Sequence, residues 1–236
     1  MKTHLKLLLH TFLLIYRYHF KKNYPLDIDV IKSIVKNDNG IIIDIGAHVG
    51  SWTFNLAKCY PQASIIAIEA FPYYYKLLKY TNTFLSFKNI RFLNFAVSDN
   101  SGILQLKYLD EDGNHLTGFN HISQFESISN IEVKSETIDN LINSAQDKVV
   151  FIKCDIEGFE LMAFKGASNT IDQFRPIIYT EINKKWCERY SYKPEEILSF
   201  FERKNYVPYQ IRKNTLVTFN KKSIVDFEGD LIFLPK

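Results

Sequence analysis

The sequence predicts an α/β fold of the doubly wound type, in which helices cover both faces of a mostly parallel sheet. Near-continuous apolar runs are the first observation, because such runs are typical of parallel strands buried on both faces. They lie at residues 41–45, 64–69, 90–97, 149–155 and 176–182. Helix-like segments separate the first three runs, at about residues 50–59 and 72–82. Strand patterns that alternate with helical patterns in this way indicate βαβ units.

The composition is that of an ordered globular protein. The chain has 236 residues, of which 46% are hydrophobic and 23% charged, enough for one α/β domain with an appendage. A net charge of +3 is too small to favour a nucleic-acid partner. The three cysteines, Cys59, Cys154 and Cys187, form no C-x-x-C pair. They predict neither a disulfide framework nor a zinc site, and they favour a reducing, cytoplasmic location.

We expect two parts in the chain: an N-terminal helical segment, residues 1–37, and a larger catalytic domain, residues 38–236. Within the domain, residues 98–135 interrupt the alternation with a turn and an alternating apolar pattern. That pattern predicts an inserted β-hairpin and loop at the rim of the sheet, where binding loops tend to lie. A helix at 194–204 and further strand patterns are expected to close the far edge of the sheet in antiparallel fashion.

The first 22 residues are basic. Residues 1–22 carry five Lys or Arg, and the first acid is Asp27. The apolar run from Leu7 to Tyr16 is too short to span a bilayer, which takes about 20 apolar residues. Two interpretations remain open: a helix packed on the domain, or an interfacial helix with basic flanks that binds the inner face of an anionic membrane.

A glycine-bearing turn follows the first strand pattern. The stretch IIIDIGAHVGSWT places Asp44 near the strand end and Gly46 and Gly50 before a helix. Glycines there let a ligand approach the backbone, and the helix N-terminus offers free N–H groups. His48 stands where a dinucleotide fingerprint needs glycine, so the pattern favours S-adenosylmethionine over a pyrophosphate ligand. We expect Asp44 to bind the amino group of that molecule, directly or through water.

Two further acids lie at strand ends. Glu69 follows Gly50 by 19 positions, near the spacing of about 20 at which an acid meets ribose hydroxyls. Asp99 ends the AVSD stretch and is expected to accept a hydrogen bond from an adenine amino group. The predicted cofactor site also includes His48 and the neighbours of these acids, Ala70, Phe71 and Ser98.

Taken in order, several stretches resemble the FkbM family of S-adenosylmethionine-dependent methyltransferases. They are IIDIGAHVGSWT, IAIEAFP, NFAVSDNSG, SETIDNL, FIKCDIEGFELMAFKGA and RPIIYTEI, within residues 38–236. The resemblance implies a seven-stranded, Rossmann-like sheet with an antiparallel last strand. It also implies O-methyl transfer, often to sugar or polyketide-type hydroxyls.

The resemblance also implies roles for individual residues. It matches the cofactor side to Asp44, Gly46, Gly50, Glu69 and Asp99, and a D-x-E-G motif to Asp155, Glu157 and Gly158. One position departs from the family, because His48 stands where asparagine is usual. Since histidine can titrate near neutral pH, the role of that position is not transferred.

The carboxylates at the later strand ends are the candidate catalytic residues. Ligands of a doubly wound sheet bind outside the carboxyl ends of the strands, where Asp155, Glu157 and Glu181 are expected. An aliphatic hydroxyl needs a base at neutral pH, and Asp155 is the first candidate, with Glu157, Glu181 and His48 in reserve. Carboxylates can also hold Mg²⁺, an alternative that we do not favour. A helix-start position, where acids meet the dipole, is the alternative for Glu157 and the preferred interpretation of Glu160.

The sequence thus predicts an S-adenosylmethionine-dependent O-methyltransferase acting on a hydroxyl of a sugar, polysaccharide or related glycoconjugate. The expected partner is a small molecule or glycan, and not nucleic acid. Two alternatives stay open: a non-catalytic scaffold with this fold at a membrane, and an N-methyltransferase acting on nucleic acid or protein.

Overall fold

A computed structural model describes residues 7–15, 27–36, 39–109, 120–123, 127, 129–142 and 148–236. The strands are β1 (Ile41–Ile45), β2 (Ser64–Ile68), β3 (Ile90–Leu93), β4 (Ala96–Val97), β5 (Gly102–Lys107), β6 (His121–Ser123), β7 (Asn130–Glu136), β8 (Val149–Cys154), β9 (Ile177–Asn183), β10 (Tyr206–Arg212), β11 (Thr215–Thr218) and β12 (Glu228–Pro235). The helices are α1 (7–15), α2 (Ile28–Ile34), α3 (Ser51–Cys59), α4 (Pro72–Leu85), α5 (Ile138–Leu141), α6 (Glu160–Lys165), α7 (Ser168–Phe174), α8 (Lys184–Arg189) and α9 (Pro194–Arg203), and a 3-10 helix covers Lys221–Asp226.

The main sheet has eight strands in the order β11-β10-β12-β9-β8-β1-β2-β3. The five strands from β9 to β3 in this order are parallel, and β12 is antiparallel to both β9 and β10. This confirms the doubly wound class and the reversed last strand. The implied count of seven strands is wrong by one, because β11 pairs with β10 as a hairpin. Lys213 and Asn214 make its two-residue turn with positive φ at both positions, the backbone of the turn type that suits a twisted hairpin.

The described parts of residues 98–135 form more than the predicted hairpin, and residues 110–119, where its loop was predicted, lie outside the described residues. A second sheet has the order β4-β7-β5-β6, and β5 is antiparallel to both β6 and β7. The apolar run at 90–97 is divided between the two sheets, since β3 pairs with β2 and β4 pairs with β7. The turn at 94–95 therefore carries the chain from one sheet to the other, which an apolar run alone does not reveal.

Both faces of the main sheet are buried. Ile43 and Ile45 pack in one cluster that includes side chains of α6, α7 and α9. Ile42, the neighbour of Ile43, packs in another cluster with side chains of α2 and α3. Successive residues of a strand point to opposite faces, so this alternation follows from a strand that is covered on both sides.

The N-terminal helices contact the domain. Ile28 and Ile31 of α2 are fully buried in the cluster that contains Ile42. Leu14 of α1 packs with Tyr74 and Leu77 of α4. Among the described helices, none is long and apolar enough to cross a membrane. The division of the chain between residues 37 and 38 stays a prediction.

Candidate active site

The main cavity lies at the carboxyl ends of the parallel strands and has a volume of about 140 Å³. The loops after β1, β2 and β8 form one side of the main cavity, and strands β4, β5 and β6 of the second sheet form the other. The cavity therefore lies where a doubly wound sheet binds its ligands.

The glycine loop after β1 packs closely against the loop after β8. A Cβ on Gly46, which has φ +78°, would lie 2.0 Å from the carbonyl oxygen of Asp155. The N–H groups of Gly46 and Ala47 both donate to Ile68 O at 3.0 Å. Gly46 is thus required for the two loops to meet, and these two N–H groups fix the loop to β2.

Glu69 lies in the wall of the main cavity, as predicted from its spacing. Its Oε2 accepts the N–H of His48 at 2.7 Å, and its Oε1 accepts the N–H of Phe71 at 2.8 Å. Burial raises the pKa of this carboxyl group to about 7, although the two N–H groups act in the opposite direction. A carboxylate oxygen can accept more than one hydrogen bond, so Glu69 keeps accepting capacity for a ligand.

His48 lines the main cavity without titrating near neutral pH. Its backbone has φ +48°, and its ring meets Tyr74 edge-on at a centroid distance of 4.1 Å. Burial, with a smaller contribution from Lys153, lowers the pKa of the imidazole to about 4. Its Nε2 is buried with no hydrogen-bond partner among the described residues. The neutral ring therefore offers one nitrogen to a ligand in the cavity.

Asp44 lies elsewhere than predicted. Its side chain is fully buried, accepts the hydroxyl of Thr53 at 2.5 Å and lies 3.4 Å from Lys153 Nζ. The main cavity is lined by Ile45, whereas Asp44 points to the opposite face of β1. Its predicted contact with the cofactor amino group is therefore replaced by a contact with Thr53 and Lys153.

Lys153 is a functional residue that the sequence reasoning missed. Its Nζ lies 3.6 Å from Asp155 Oδ2 and donates to Gly46 O at 3.0 Å. Burial lowers the pKa of this ammonium group, but the charges of Asp155 and Asp44 outweigh burial, so the net shift is upward. A lysine inside the apolar strand VVFIKC was the available signal, since buried lysines are rare without a partner.

Asp155, which lines the main cavity, interacts with the carboxyl group of Glu181. Glu181 on β9 is opposite Asp230 on β12, and it shares a hydrogen bond with Asp155. Burial first, and then the charge of Asp155, raise the pKa of Glu181 to about 9. Burial also raises the pKa of Asp230 to about 6. Glu181 is therefore protonated at neutral pH and can donate to the Asp155 carboxylate, whose side chain is 40% exposed.

Glu157 and Glu160, from the same motif, play different parts. Glu157 lines the main cavity, and its buried Oε2 has no partner within the described ranges. Burial, followed by the charges of Asp155 and Glu160, raises the pKa of Glu157 to about 8. Glu160 begins α6 and its Oε1 accepts the N–H groups of Ile156 and Gly158, which agrees with its expected helix-start role.

The remaining predicted cofactor residues are spread over the site. Ala70 lines the main cavity. Ser98 and Asp99 line a second cavity, which shares Ile122 and Phe159 with the main one. The ring of Phe71 stacks on Tyr108 at 5.6 Å.

Gly50 is the N-cap of α3 with φ +88°. A Cβ at this position would lie 2.4 Å from the Phe54 ring. Gly50 therefore shapes the start of α3 through its backbone.

The described ranges contain no group of three His, Cys, Asp or Glu side chains arranged to hold a metal ion.

The strand order and the position of the main cavity define the Rossmann-like class of methyltransferase folds. The family model described as the methyltransferase FkbM domain matches residues 44–208. Because the match covers more than half of the chain, the chain belongs to the FkbM family of S-adenosylmethionine-dependent methyltransferases. No curated protein matches the chain in sequence.

Solved structures share the fold at low sequence identity. The FkbM methyltransferase of Methylobacillus flagellatus KT is 17% identical, with a TM-score of 0.53, over 83% of this chain and 44% of that one. The chain thus spans less than half of that relative. A putative rRNA-methylase from Clostridium thermocellum is 13% identical, with a TM-score of 0.52, over 88% of this chain and 92% of that one. A putative methyltransferase from Streptococcus mutans, solved in complex with SAH, is 8% identical, with a TM-score of 0.50, over 89% and 98%.

Proposed function

We propose that the protein transfers a methyl group from S-adenosylmethionine to a hydroxyl of a sugar, polysaccharide or related glycoconjugate. The observation that carries this proposal is the carboxyl pair formed by Asp155, which lines the main cavity, and Glu181. A hydroxyl acceptor needs a proton acceptor close to the methyl donor, and this pair supplies one.

The donor side of the main cavity fits S-adenosylmethionine. Glu69 has lone pairs left for a diol, and Ile68, Val97 and Leu106 line the cavity with apolar surface suited to an aromatic base. When bound, this molecule supplies an activated methyl group, so the protein's own tasks are to align the acceptor and to remove its proton.

Asp155 is placed to take that proton. Glu181 donates to it and Lys153 lies behind it at 3.6 Å, so the carboxylate is held in one orientation while a side of it stays exposed. The oxygen of the acceptor would form its bond to the methyl group as the methyl–sulfur bond of the donor breaks, which releases S-adenosylhomocysteine, and the acceptor's O–H proton would move to Asp155. Glu157, with its raised pKa of about 8, is suited to donate a hydrogen bond to the acceptor.

We place the activity in the cytoplasm. The three cysteines are few and form no C-x-x-C pair, a pattern that favours a reducing compartment.

An assay of methyl transfer from radiolabelled S-adenosylmethionine tests the proposal. We expect label in oligosaccharide or polysaccharide acceptors and none in tRNA or peptides. Asp155→Asn should lower the rate by about 100-fold or more, the usual contribution of a general base, without weakening cofactor binding. Asp226→Asn is the matched control, because the Asp226 side chain is 85% exposed.

Two results would contradict the proposal and identify an alternative. Label in RNA or peptide would show an N-methyltransferase. Tight cofactor binding with no turnover in either the wild type or Asp155→Asn would show a non-catalytic scaffold.

A further inference from the structure

Helix α1 exposes an entirely apolar face. Leu9, Phe12 and Leu13 are 63%, 53% and 54% exposed, and their spacing places them on one side of the helix. Phe84 of α4 is 49% exposed and its ring lies 5.9 Å from that of Phe12. Four large apolar side chains therefore form one surface, the α1–α4 apolar surface.

The opposite face of α1 is already packed on the domain. Thr11 is fully buried and Leu14 is 7% exposed, in contact with Tyr74 and Leu77. A surface helix in water normally pairs an apolar face with a polar one. Helix α1 instead has apolar residues on both faces, so its outer face needs another apolar environment.

Basic residues lie on α4, the helix that carries Phe84. Lys76 and Lys79 of α4 are exposed, and residues 70–98 contain no Asp or Glu. The sequence before Asp27 likewise has five Lys or Arg and no acid. An apolar helix face with basic neighbours is the combination that binds the interface of an anionic bilayer.

We infer that Leu9, Phe12, Leu13 and Phe84, with Lys76 and Lys79, form a docking surface for an anionic lipid bilayer. A second copy of the chain fits less well. Two-fold pairing of the same surface brings the same basic residues of both copies together, whereas anionic lipid headgroups neutralise them. Helix α4 also carries Tyr74 into the wall of the main cavity, so the bilayer lies on a helix that borders that cavity.

Co-sedimentation of the full chain with vesicles tests this inference. We expect binding to vesicles of equal parts phosphatidylcholine and phosphatidylglycerol, and about tenfold weaker binding to phosphatidylcholine alone. The combined variant Leu9→Ser, Phe12→Ser, Leu13→Ser should reduce binding by about tenfold or more, because each side chain buries apolar area in the interface. Lys76→Glu with Lys79→Glu should reduce binding to the anionic vesicles only.

The matched controls are Ile103→Ser and Val225→Ser, since these side chains are 59% and 48% exposed outside the surface. Both should bind as the wild type does, and circular dichroism should show all variants folded. The inference does not depend on the acceptor, because binding is measured without methyl transfer. Absent vesicle binding would overturn it. So would an undiminished affinity in the triple variant, or a dimer in light scattering that the triple variant abolishes.

Discussion

At the scale of single residues, Lys153 connects the two halves of the site. Its ammonium group lies between Asp44, on the buried face of β1, and Asp155, at the mouth of the main cavity. It also donates to Gly46 O, so a single cation joins the glycine loop to the D-x-E-G loop. Asp155, the proton acceptor that we propose, is therefore positioned by a residue that is not part of the lining of the main cavity.

The pairing of Asp44 with Lys153 gives a stability prediction. Asp44→Asn leaves the buried ammonium group with less negative charge beside it. Breaking a buried pair costs about 3–5 kcal/mol. We expect the free energy of unfolding in urea to fall by about 3 kcal/mol, the low end of this range. The loss is limited because Asp155 and Gly46 O still contact the ammonium group.

Two further variants check the cause. Lys153→Met added to Asp44→Asn should recover much of the loss, since apolar residues can replace a buried pair. Asp226→Asn, which removes an exposed partner of Lys184, should change the free energy of unfolding by no more than about 0.5 kcal/mol. An Asp44→Asn protein as stable as Asp226→Asn would contradict the assignment.

The place of Glu69 directly after β2 follows from its distance to the glycine loop, because the length of a βα unit fixes where the next strand ends. Its contact with ribose hydroxyls stays a prediction. The side to which Asp44 points was not predictable. A strand buried on both faces has no alternating pattern to indicate which face each residue joins.

At the scale of elements, the turn between α6 and α7 supports the loop after β4. A Cβ on Gly166 would lie 2.0 Å from Ser98 O. The family-like GA pair at this turn therefore lets α6 and α7 pack against the backbone of Ser98 and Asp99. Because Asp99 lines the second cavity, this contact also fixes one wall of that cavity.

Gly166→Ala should destabilise the protein by about 1–3 kcal/mol, the usual cost of forcing extra volume into a packed site. Thermal or urea unfolding measures the loss. Gly102→Ala is the matched control, because its Cβ would meet only Ser135 Oγ at 3.8 Å. Equal effects of the two substitutions would show that the contact with Ser98 is not tightly packed.

The elements differ in how well the sequence predicts them. Each of the five apolar runs contains a strand of the main sheet, because length and β-branched content identify buried strands. The second sheet was predicted only as a hairpin. Its strand β4 has two residues, and the pairing of such a strand is set by long-range contacts rather than by local pattern.

At the scale of the whole molecule, protonated carboxyl groups make stability depend on pH. Burial raises the pKa of Glu181 to about 9 and that of Glu157 to about 8. The unfolded chain releases these protons near pH 4.5, so the folded protein binds more protons above that pH. The contribution of these two carboxyl groups to stability is therefore greatest at low pH and is lost as the pH rises through their folded pKa values.

We expect the free energy of unfolding in urea to fall between about pH 6.5 and pH 9, with each excess proton contributing at most about 1.4 kcal/mol per pH unit. The window begins at about pH 6.5 because His48 changes the stability in the opposite direction below that pH. The pKa of its imidazole is lowered from 6.5 to about 4 in the folded protein. Glu181→Gln should flatten the fall, whereas Glu132→Gln, at an exposed position, should not. A free energy of unfolding that rises over this pH window would contradict the conclusion that the folded protein binds more protons than the unfolded chain.

The overall architecture was predictable up to its edge. Alternating strand and helix patterns fix the parallel core, because crossover connections leave few topologies. The eighth strand was missed because the seven-strand count came from the family resemblance, while β11 depends on a turn particular to this chain.

Calorimetric titration with S-adenosylmethionine tests the central claim, that the main cavity binds this molecule through Glu69. We expect the wild-type protein to bind it. Glu69→Gln should bind about 10–100-fold more weakly, because hydrogen bonds to a charged group contribute about 1.5–3 kcal/mol. Glu132→Gln should bind as tightly as the wild type. No binding by the wild type, or equal affinity in Glu69→Gln, would contradict the account.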